Sequence, residues 1–440
     1  MDNSFFIDKS CGALLGLAVG DALGAPLEGM KPGQITTLFK KVTGYIDLKQ
    51  FVRKGIKTFR AQGFYTDDTQ QMLAVCDTLL THHTITPETL SAQFKTLCSV
   101  ECEYAFGVFR GSSVFFRRSM TDLINAVPWD RSFGETAGCM ASVRIAPIII
   151  YYYNSPHLIT PKIIESALIT HKDPIGIIAA VLYGFFLYEL LGSSSDSHPD
   201  IPSILSKCEY ACENAERYLA SHFRFLLTQS HADGLTAVRN FIPLFISALR
   251  TKDEQKIEQC IFDYASHFSS YPLHKITVPY ALTLVPLAIK TFCLNLSNYE
   301  ASVYNAVNRG GDTDTHAALA GCLSGAFFGA HAIPPHLTEG LVNMRQIKLR
   351  GEALVEQHHT SFIADLFDME LKLTQYETAQ LKKFEAGIKQ PKAQKAKPAE
   401  YSSDPNNEPI PSKKKKLDRR KYEKEKSIKK RRRRRDKTIL

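Results

Sequence analysis

Two short acidic runs could do chemistry. Tyr65-Thr66-Asp67-Asp68-Thr69 and Gly310-Gly311-Asp312-Thr313-Asp314-Thr315 stand far apart in a chain of 440 residues, each ahead of a helical pattern. The first turn of a helix leaves backbone N–H groups unpaired, and Asp and Thr are favoured caps, so two N-caps are the plain reading. A cap needs only one such residue, however. Adjacent carboxylates repel one another unless a cation sits between them. Hard oxygen donors of this kind suit Mg²⁺, Mn²⁺ or Ca²⁺ and not zinc. An EF-hand does not explain the second run: counted from Asp312, Ala317 stands where Gly is needed and Leu323 where Glu is needed. A divalent site shared between the two runs explains both.

Such a site needs elements that bring the runs together. Gly12, Gly16, Gly20 and Gly24 recur every fourth residue and so lie along one side of a first helix; Gly321, Gly325 and Gly329 repeat that stripe after Asp314, with Ala317, Ala318 and Ala320 beside it. Glycine inside a helix costs roughly 0.5–1 kcal/mol relative to alanine. Close approach of two helix backbones is the compensating reason. Packed together, these helices bring Asp21 and Glu28 toward Asp312 and Asp314, which makes Glu28 a third contributor.

Helical punctuation dominates the rest. Gln70 to Leu80, Ile175 to Leu191, Lys207 to Leu227, Leu235 to Leu249 and Thr315 to Ala330 read as helices. Ile145 to Tyr153 is the clearest strand-like run, although after Pro147 it reads equally as a buried helix. With no alternating βαβ pattern, the expected fold class is all-α. At 44% hydrophobic residues the chain can bury a core, which excludes general disorder. Ten cysteines without a CxxC pair argue against a disulfide scaffold or zinc ribbon and fit a reducing compartment.

The net charge of +9 divides unevenly. Residues 387–440 hold 21 Lys+Arg against 7 Asp+Glu, so the preceding 1–386 is mildly acidic. The expected organisation is a catalytic domain over 1–386 and a disordered basic tail over 387–440, since that tail has almost no large apolar residues. Clusters at Lys413–Lys416 and Lys429–Arg435, twelve residues apart, look like a bipartite nuclear-import signal; nucleic-acid contact is the competing reading of residues 413–440. The apolar stretch after Lys9 mimics a secretory signal, but Asp2, Asp8 and the glycine period oppose it. Ile175 to Leu191 is short for a membrane span. The chain is read as soluble, intracellular and monomeric, with no membrane partner.

Five blocks in order carry a resemblance: GALLGLAVGDALGAPLE (Gly12 to Glu28), YTDDTQ (Tyr65 to Gln70), GCMASVRIAPI (Gly138 to Ile148), THKDPIGIIAA (Thr170 to Ala180) and AVNRGGDTDTHAALAG (Ala306 to Gly321). Together they resemble the ADP-ribosylglycohydrolase family, of the dinitrogenase-reductase-activating type. The resemblance implies two Mg²⁺ ions, Mn²⁺ in some members, held by Thr66, Asp67, Asp68, Asp312, Asp314 and Thr315. It implies that Glu28 contacts the site, that Thr136, Ala137 and Gly138 present backbone N–H groups to a diphosphate, and that His171 lines the ADP-ribose pocket. Cys139-Met140 resembles the arginine-directed branch. The family's Gly-aromatic-Gly loop falls at Phe106-Gly107 or Arg110-Gly111.

The reaction so implied is hydrolysis at the anomeric carbon of ADP-ribose joined to a protein side chain or small-molecule acceptor. The cations would orient the sugar and lower the pKa of a water, with Asp67 or Asp314 taking its proton and Glu28 gating or assisting the leaving group. Two other classes compete: a catalytically silent ADP-ribose-binding or structural relative, and a nucleic-acid-associated module acting through the tail. Arg144 is expected to be a structural ion-pair partner, and Trp129 either packing or an aromatic face for adenine. A nuclear address would suit a eukaryote, a virus or an effector delivered into a host cell.

Overall fold

The computed structural model describes residues 3–51, 59–195, 197–228 and 233–389, and the expected import or nucleic-acid tail beyond them lies outside the described residues. The described residues fall in one unit, Met1–Gln390. Among them are eighteen α-helices and no strand, only isolated bridges pairing Phe106 with Phe109 and Gly138 with Tyr280. The helices of the first half are α1 (Asn3–Gly24), α2 (Pro32–Phe39), α3 (Asp67–His82), α4 (Pro87–Leu97), α5 (Val114–Ile124), α6 (Met140–Val143), α7 (Ala146–Tyr151), α8 (Pro156–Leu168) and α9 (Pro174–Gly192). Those of the second half are α10 (Ile201–His222), α11 (Ala237–Arg250), α12 (Glu254–Phe268), α13 (Ala281–Leu294), α14 (Tyr299–Val307), α15 (Thr313–Phe328), α16 (Pro335–Thr338), α17 (Met344–Glu356) and α18 (Leu366–Lys389). The architecture is all-α, as expected.

The strand-like run at Ile145 is helical: α7 starts with Pro147 in its first turn and buries every residue from Ala146 to Tyr151. Proline there has its ring preset for a helix start and lacks only a donor that would be unpaired anyway. The expected Lys207–Leu227 helix starts earlier, at Ile201 behind the capping Asp200, and ends at His222 before a short 3₁₀ turn, Arg224–Leu226.

Helices α1 and α15 form the centre and run antiparallel. Gly12 faces Gly325, Gly16 faces Gly321, Gly20 faces Ala317 and Gly24 faces Thr313, each against the partner's backbone. A Cβ at any of these glycines would collide with a main-chain oxygen across the gap, so the stripes are there for contact, as their spacing predicts. Tyr299 fixes the pair from the side, its hydroxyl donating to Gly16 O at 3.0 Å.

Segments Asn3–Leu27 and Pro174–Gly192 have the length and hydropathy of membrane spans, but 100% and 78% of their apolar windows are buried inside the fold. A helix packed on all sides must be apolar all round. Lys9 is one of the buried charged residues on α1: its ammonium donates to Leu190 O at 2.6 Å and Ser193 O at 2.5 Å, closing the carbonyl end of α9.

Candidate active site

The antiparallel pair sets the site. Helix α1 runs into a 3₁₀ turn, Ala25–Leu27, that delivers Glu28. There Gly29 N donates to Gly311 O at 2.8 Å and Gly311 N to Met30 O at 2.9 Å, clamping the first block onto the second acidic run. Gly310 and Gly311 have φ of +70° and +83°, and a Cβ at either would strike Met30 O or Thr277. Only glycine fits this turn. Thr313 then donates to Gly24 O at 2.8 Å and starts α15.

Asp21 fastens the first acidic run to α1. Its Oδ1 accepts from Thr66 N and Thr66 Oγ1, both at 2.9 Å, and its Oδ2 from Thr69 N at 3.0 Å and Thr69 Oγ1 at 2.6 Å. One buried carboxylate thus holds both threonines that bracket Asp67 and Asp68. The sequence placed Asp21 nearby without this role; the two Thr–x–x–Thr hydroxyls were the available signal.

The cap reading covers only part of what is seen. Thr66 does cap α3, accepting from Asp68 N at 3.4 Å. Asp312 occupies the N-cap position of α15 with no capping bond from its side chain. Instead, Asp68 Oδ2, Asp312 Oδ2 and Asp314 Oδ1 are buried oxygens without a hydrogen-bond partner. Buried polar atoms are ordinarily satisfied, so three orphaned carboxylate oxygens fit a set of cation donors.

The electrostatics agree. Burial first, then the charges of Asp21, Asp67 and Asp312, hold Asp68 well above the usual carboxylate range. Burial and then Glu28, Asp312 and Asp68 do the same for Asp314. Burial raises Asp312, and burial with the Asp21 charge pushes Asp67 up to about 7. Glu28 is exposed as a residue, yet protein packed around its carboxyl and the Asp312 charge raise it too. The acids therefore form one mutually repelling group. Among the described residues no three His, Cys, Asp or Glu side chains already stand at metal-holding spacing.

Asp67 is steered from behind. Gln71 Nε2 donates to Asp67 Oδ2 at 2.9 Å, and Arg144 Nη1 donates to Gln71 Oε1 at 2.8 Å. Arg144 was expected in an ion pair. Among the described residues it meets no carboxylate; its other bonds go to Ser166 Oγ, Ser166 O and Thr170 Oγ1, and burial alone pushes it down to about 9. Four neutral acceptors on three residues satisfy the guanidinium there.

The expected substrate loop lies beside this group. Cys139, at its end, feels the charges of Asp312 and Asp68, which add to burial in keeping its thiol protonated. Thr136, Ala137 and Gly138 line a cavity of about 530 Å³ with Glu135, Tyr271 and Tyr280 among its other walls. Within the loop Thr136 N donates to Gly134 O at 2.7 Å and Gly138 N to Thr136 Oγ1 at 3.1 Å. His171 is buried behind it. Its Nδ1 shares a hydrogen bond with Thr170 Oγ1 at 2.8 Å, and burial with the Arg144 charge pushes it down to about 3, so the ring is neutral. A Cβ at Gly176 would press on His171 Cδ2 and Gly138 O, both at 3.0 Å. Trp129 donates to Glu88 Oε1 at 2.6 Å and is not among the walls of this cavity. Of the two expected aromatic-loop positions, Arg110-Gly111 adjoins the acidic run: Asp67 N donates to Arg110 O at 2.8 Å, while Gly107 packs on Leu97 and Cys98.

The fold is all-α, and two Asp-rich helix starts meet in it close to the loop that ends at Cys139. Residues 2–369 match the family model ADP-ribosylglycohydrolase, and the chain belongs to that family: it is a hydrolase acting on glycosyl bonds, in a family that works on ADP-ribosylated substrates and generally depends on divalent metal. It is 26% identical over 333 residues to ADP-ribosyl-[dinitrogen reductase] glycohydrolase of Rhodospirillum rubrum, covering 74% of this chain and 88% of that one. It is 22% identical over 337 residues to ADP-ribosylhydrolase ARH3 of Bos taurus, covering 73% and 86%. Among solved structures, an ADP-ribosylglycohydrolase-related protein complex shares the fold with a TM-score of 0.54 at 23% identity, covering 81% of this chain and all of that one.

Proposed function

We propose that the chain removes ADP-ribose from a modified protein side chain, using two Mg²⁺ ions, or Mn²⁺, held by Thr66, Asp67, Asp68, Asp312, Asp314 and Thr315. The observation that carries this reading is the set of three buried, unpartnered oxygens on Asp68, Asp312 and Asp314. Cations held there supply Lewis-acid polarisation of the sugar and a water of lowered pKa. The chain's own residues do the rest. Asp67 or Asp314 would take the proton of the attacking water, and Gln71 Nε2 holds Asp67 Oδ2 in place for it. Glu28, exposed at the rim, gates the site and assists the departing acceptor. The Thr136–Gly138 loop flanks the diphosphate, although its Thr136 and Gly138 N–H groups are bonded within the loop, and His171 braces it from behind as a neutral ring. Incubating the full chain with Mg²⁺ and arginine-linked, serine-linked or DNA-linked ADP-ribose identifies the acceptor. Turnover that survives EDTA would overturn the metal scheme.

For residues 413–440 the supporting observation is composition: four and then seven consecutive basic residues separated by twelve. We read them as a nuclear-import signal on a protein acting inside a cell. Deleting them should abolish nuclear accumulation. Retained accumulation, with nucleic-acid binding that collapses between low and moderate salt, would favour phosphate contact instead.

A further inference from the structure

The last helix reaches the underside of the first acidic run. Glu370, in the second turn of α18, is wholly buried and has its carboxylate filled by donors. Its Oε1 accepts from Tyr65 OH at 2.5 Å; its Oε2 accepts from Gln70 Nε2 at 2.7 Å and Arg110 Nη1 at 2.8 Å. Tyr65 and Gln70 are the residues immediately flanking Thr66–Thr69, so both ends of the run are tied to one side chain about 300 residues away in sequence.

The same carboxylate reaches the run by a second route. Arg110 O accepts from Asp67 N at 2.8 Å, Arg110 N donates to Gln70 Oε1 at 2.8 Å, and Arg110 Nε donates to Tyr65 O at 3.2 Å. Thr374, one turn further along α18, accepts from Arg110 Nη1 at 3.0 Å and donates to Val108 O at 2.7 Å. Every donor on Glu370 thus belongs to the acidic run's own ends or to the loop that hydrogen-bonds its backbone.

We infer that Glu370 is a positioning residue for the cation-binding run, holding Thr66, Asp67 and Asp68 in register through Tyr65, Gln70 and Arg110. This rests on the reading that those three residues bind a divalent ion. Groups that orient metal ligands from behind change metal affinity by about 10–100-fold when removed. A glutamine at 370 keeps the shape but turns one oxygen into a donor facing donors and leaves Arg110 only the more distant Glu377, at 4.0 Å, as a charge partner. A role confined to anchoring α18 would lower stability and leave metal affinity alone.

The test is Mn²⁺ binding to the full chain by calorimetry, at a temperature where each variant is folded. Glu370→Gln should weaken Mn²⁺ binding at least about tenfold. Tyr65→Phe, which deletes the hydrogen bond to Glu370 and the one Tyr65 OH accepts from Asn343 Nδ2, should weaken it severalfold. Lys9→Met, a destabilising change remote from the acidic run, should bind as wild type. Wild-type affinity in folded Glu370→Gln overturns the inference while leaving the metal reading intact. If Glu370→Gln does not fold, Tyr65→Phe decides: weakened binding supports the inference and unchanged binding overturns it. Wild-type protein that binds no Mn²⁺ overturns both readings together.

Discussion

Gly16 and Gly321 touch backbone to backbone across α1 and α15, and a Cβ on either would overlap the other's carbonyl oxygen. The contact matters for the site because α1 carries Asp21 and leads to Glu28, while α15 begins with the second acidic run. Gly321→Ala should therefore destabilise the protein by about 1–3 kcal/mol or more, the usual cost of overpacking, and lower activity with it. Gly33→Ala is the comparison: it sits in α2 with nothing within 4 Å of its Cβ. There a helix gains roughly 0.5–1 kcal/mol. Denaturant midpoints that moved equally for both would refute the backbone-contact account.

Removing a carboxylate from the acidic group should have two opposite effects. Without metal, Asp314 is buried with one oxygen unpartnered and faces the charges of Glu28, Asp312 and Asp68. Asp314→Asn relieves that repulsion, so the metal-free variant should melt no lower than metal-free wild type. With metal the order reverses. Ligand that binds only the folded state adds about 2.7 kcal/mol at a hundredfold excess over Kd, and wild type should gain this on adding Mg²⁺ or Mn²⁺ while the variant gains little. Its turnover should fall about 10²–10⁴-fold or more, the range for losing a positioned proton acceptor. Thermal melts with and without EDTA, alongside turnover, check both halves.

What the sequence disclosed was local. The acidic runs, the glycine stripes and the helical periods are each readable locally, whereas the antiparallel register that sets Gly12 against Gly325 and Gly16 against Gly321 is supplied by the structure. Asp21 was within sight because it sits on the same helix as the stripe. Glu370 was not, since a single glutamate in the mixed surface pattern of α18 carries no sign of a tyrosine 305 positions away. Arg144 misled for a related reason. A buried arginine suggests a carboxylate partner, yet Gln71 on α3 and Ser166 and Thr170 around the end of α8 satisfy it with neutral oxygens. Ile145 to Tyr153 shows the remaining ambiguity, because full burial removes the periodicity that separates helix from strand.

His171 sets a pH dependence whose sign is opposite to that of the acidic group. Its folded pKa is pushed down to about 3 from an ordinary 6.5, so between those values the unfolded chain binds a proton that the folded protein refuses. Stability linked to His171 is complete above pH 6.5 and is lost as the pH falls toward 3. His171→Gln removes this linkage. Its unfolding free energy should fall less steeply than that of wild type between pH 6.5 and 4, measured by urea denaturation in EDTA. Parallel slopes would mean that the ring is protonated in the folded state.

Lys9 closes the carbonyl end of α9 from the middle of the apolar face of α1, with the rings of Phe5 and Phe327 also near its ammonium. The last carbonyls of a helix have no partner of their own, and Lys9→Met leaves Leu190 O with Ser193 N as its donor and takes the Lys9 bond from Ser193 O. The expected loss is about 1–3 kcal/mol, with turnover unchanged because Lys9 lies away from the acidic runs. Burial pushes the amine down to about 8 from 10.5, with the nearby Asp8 charge opposing it. Between those values the unfolded chain holds a proton that the folded protein has released, so Lys9 makes wild type gain stability as pH rises through that window. Lys9→Met should lack this gain, which means that the stability gap between the two proteins widens from pH 8 to 10. A gap that narrows instead would show that the charged ammonium, and not the donor alone, is what α9 requires.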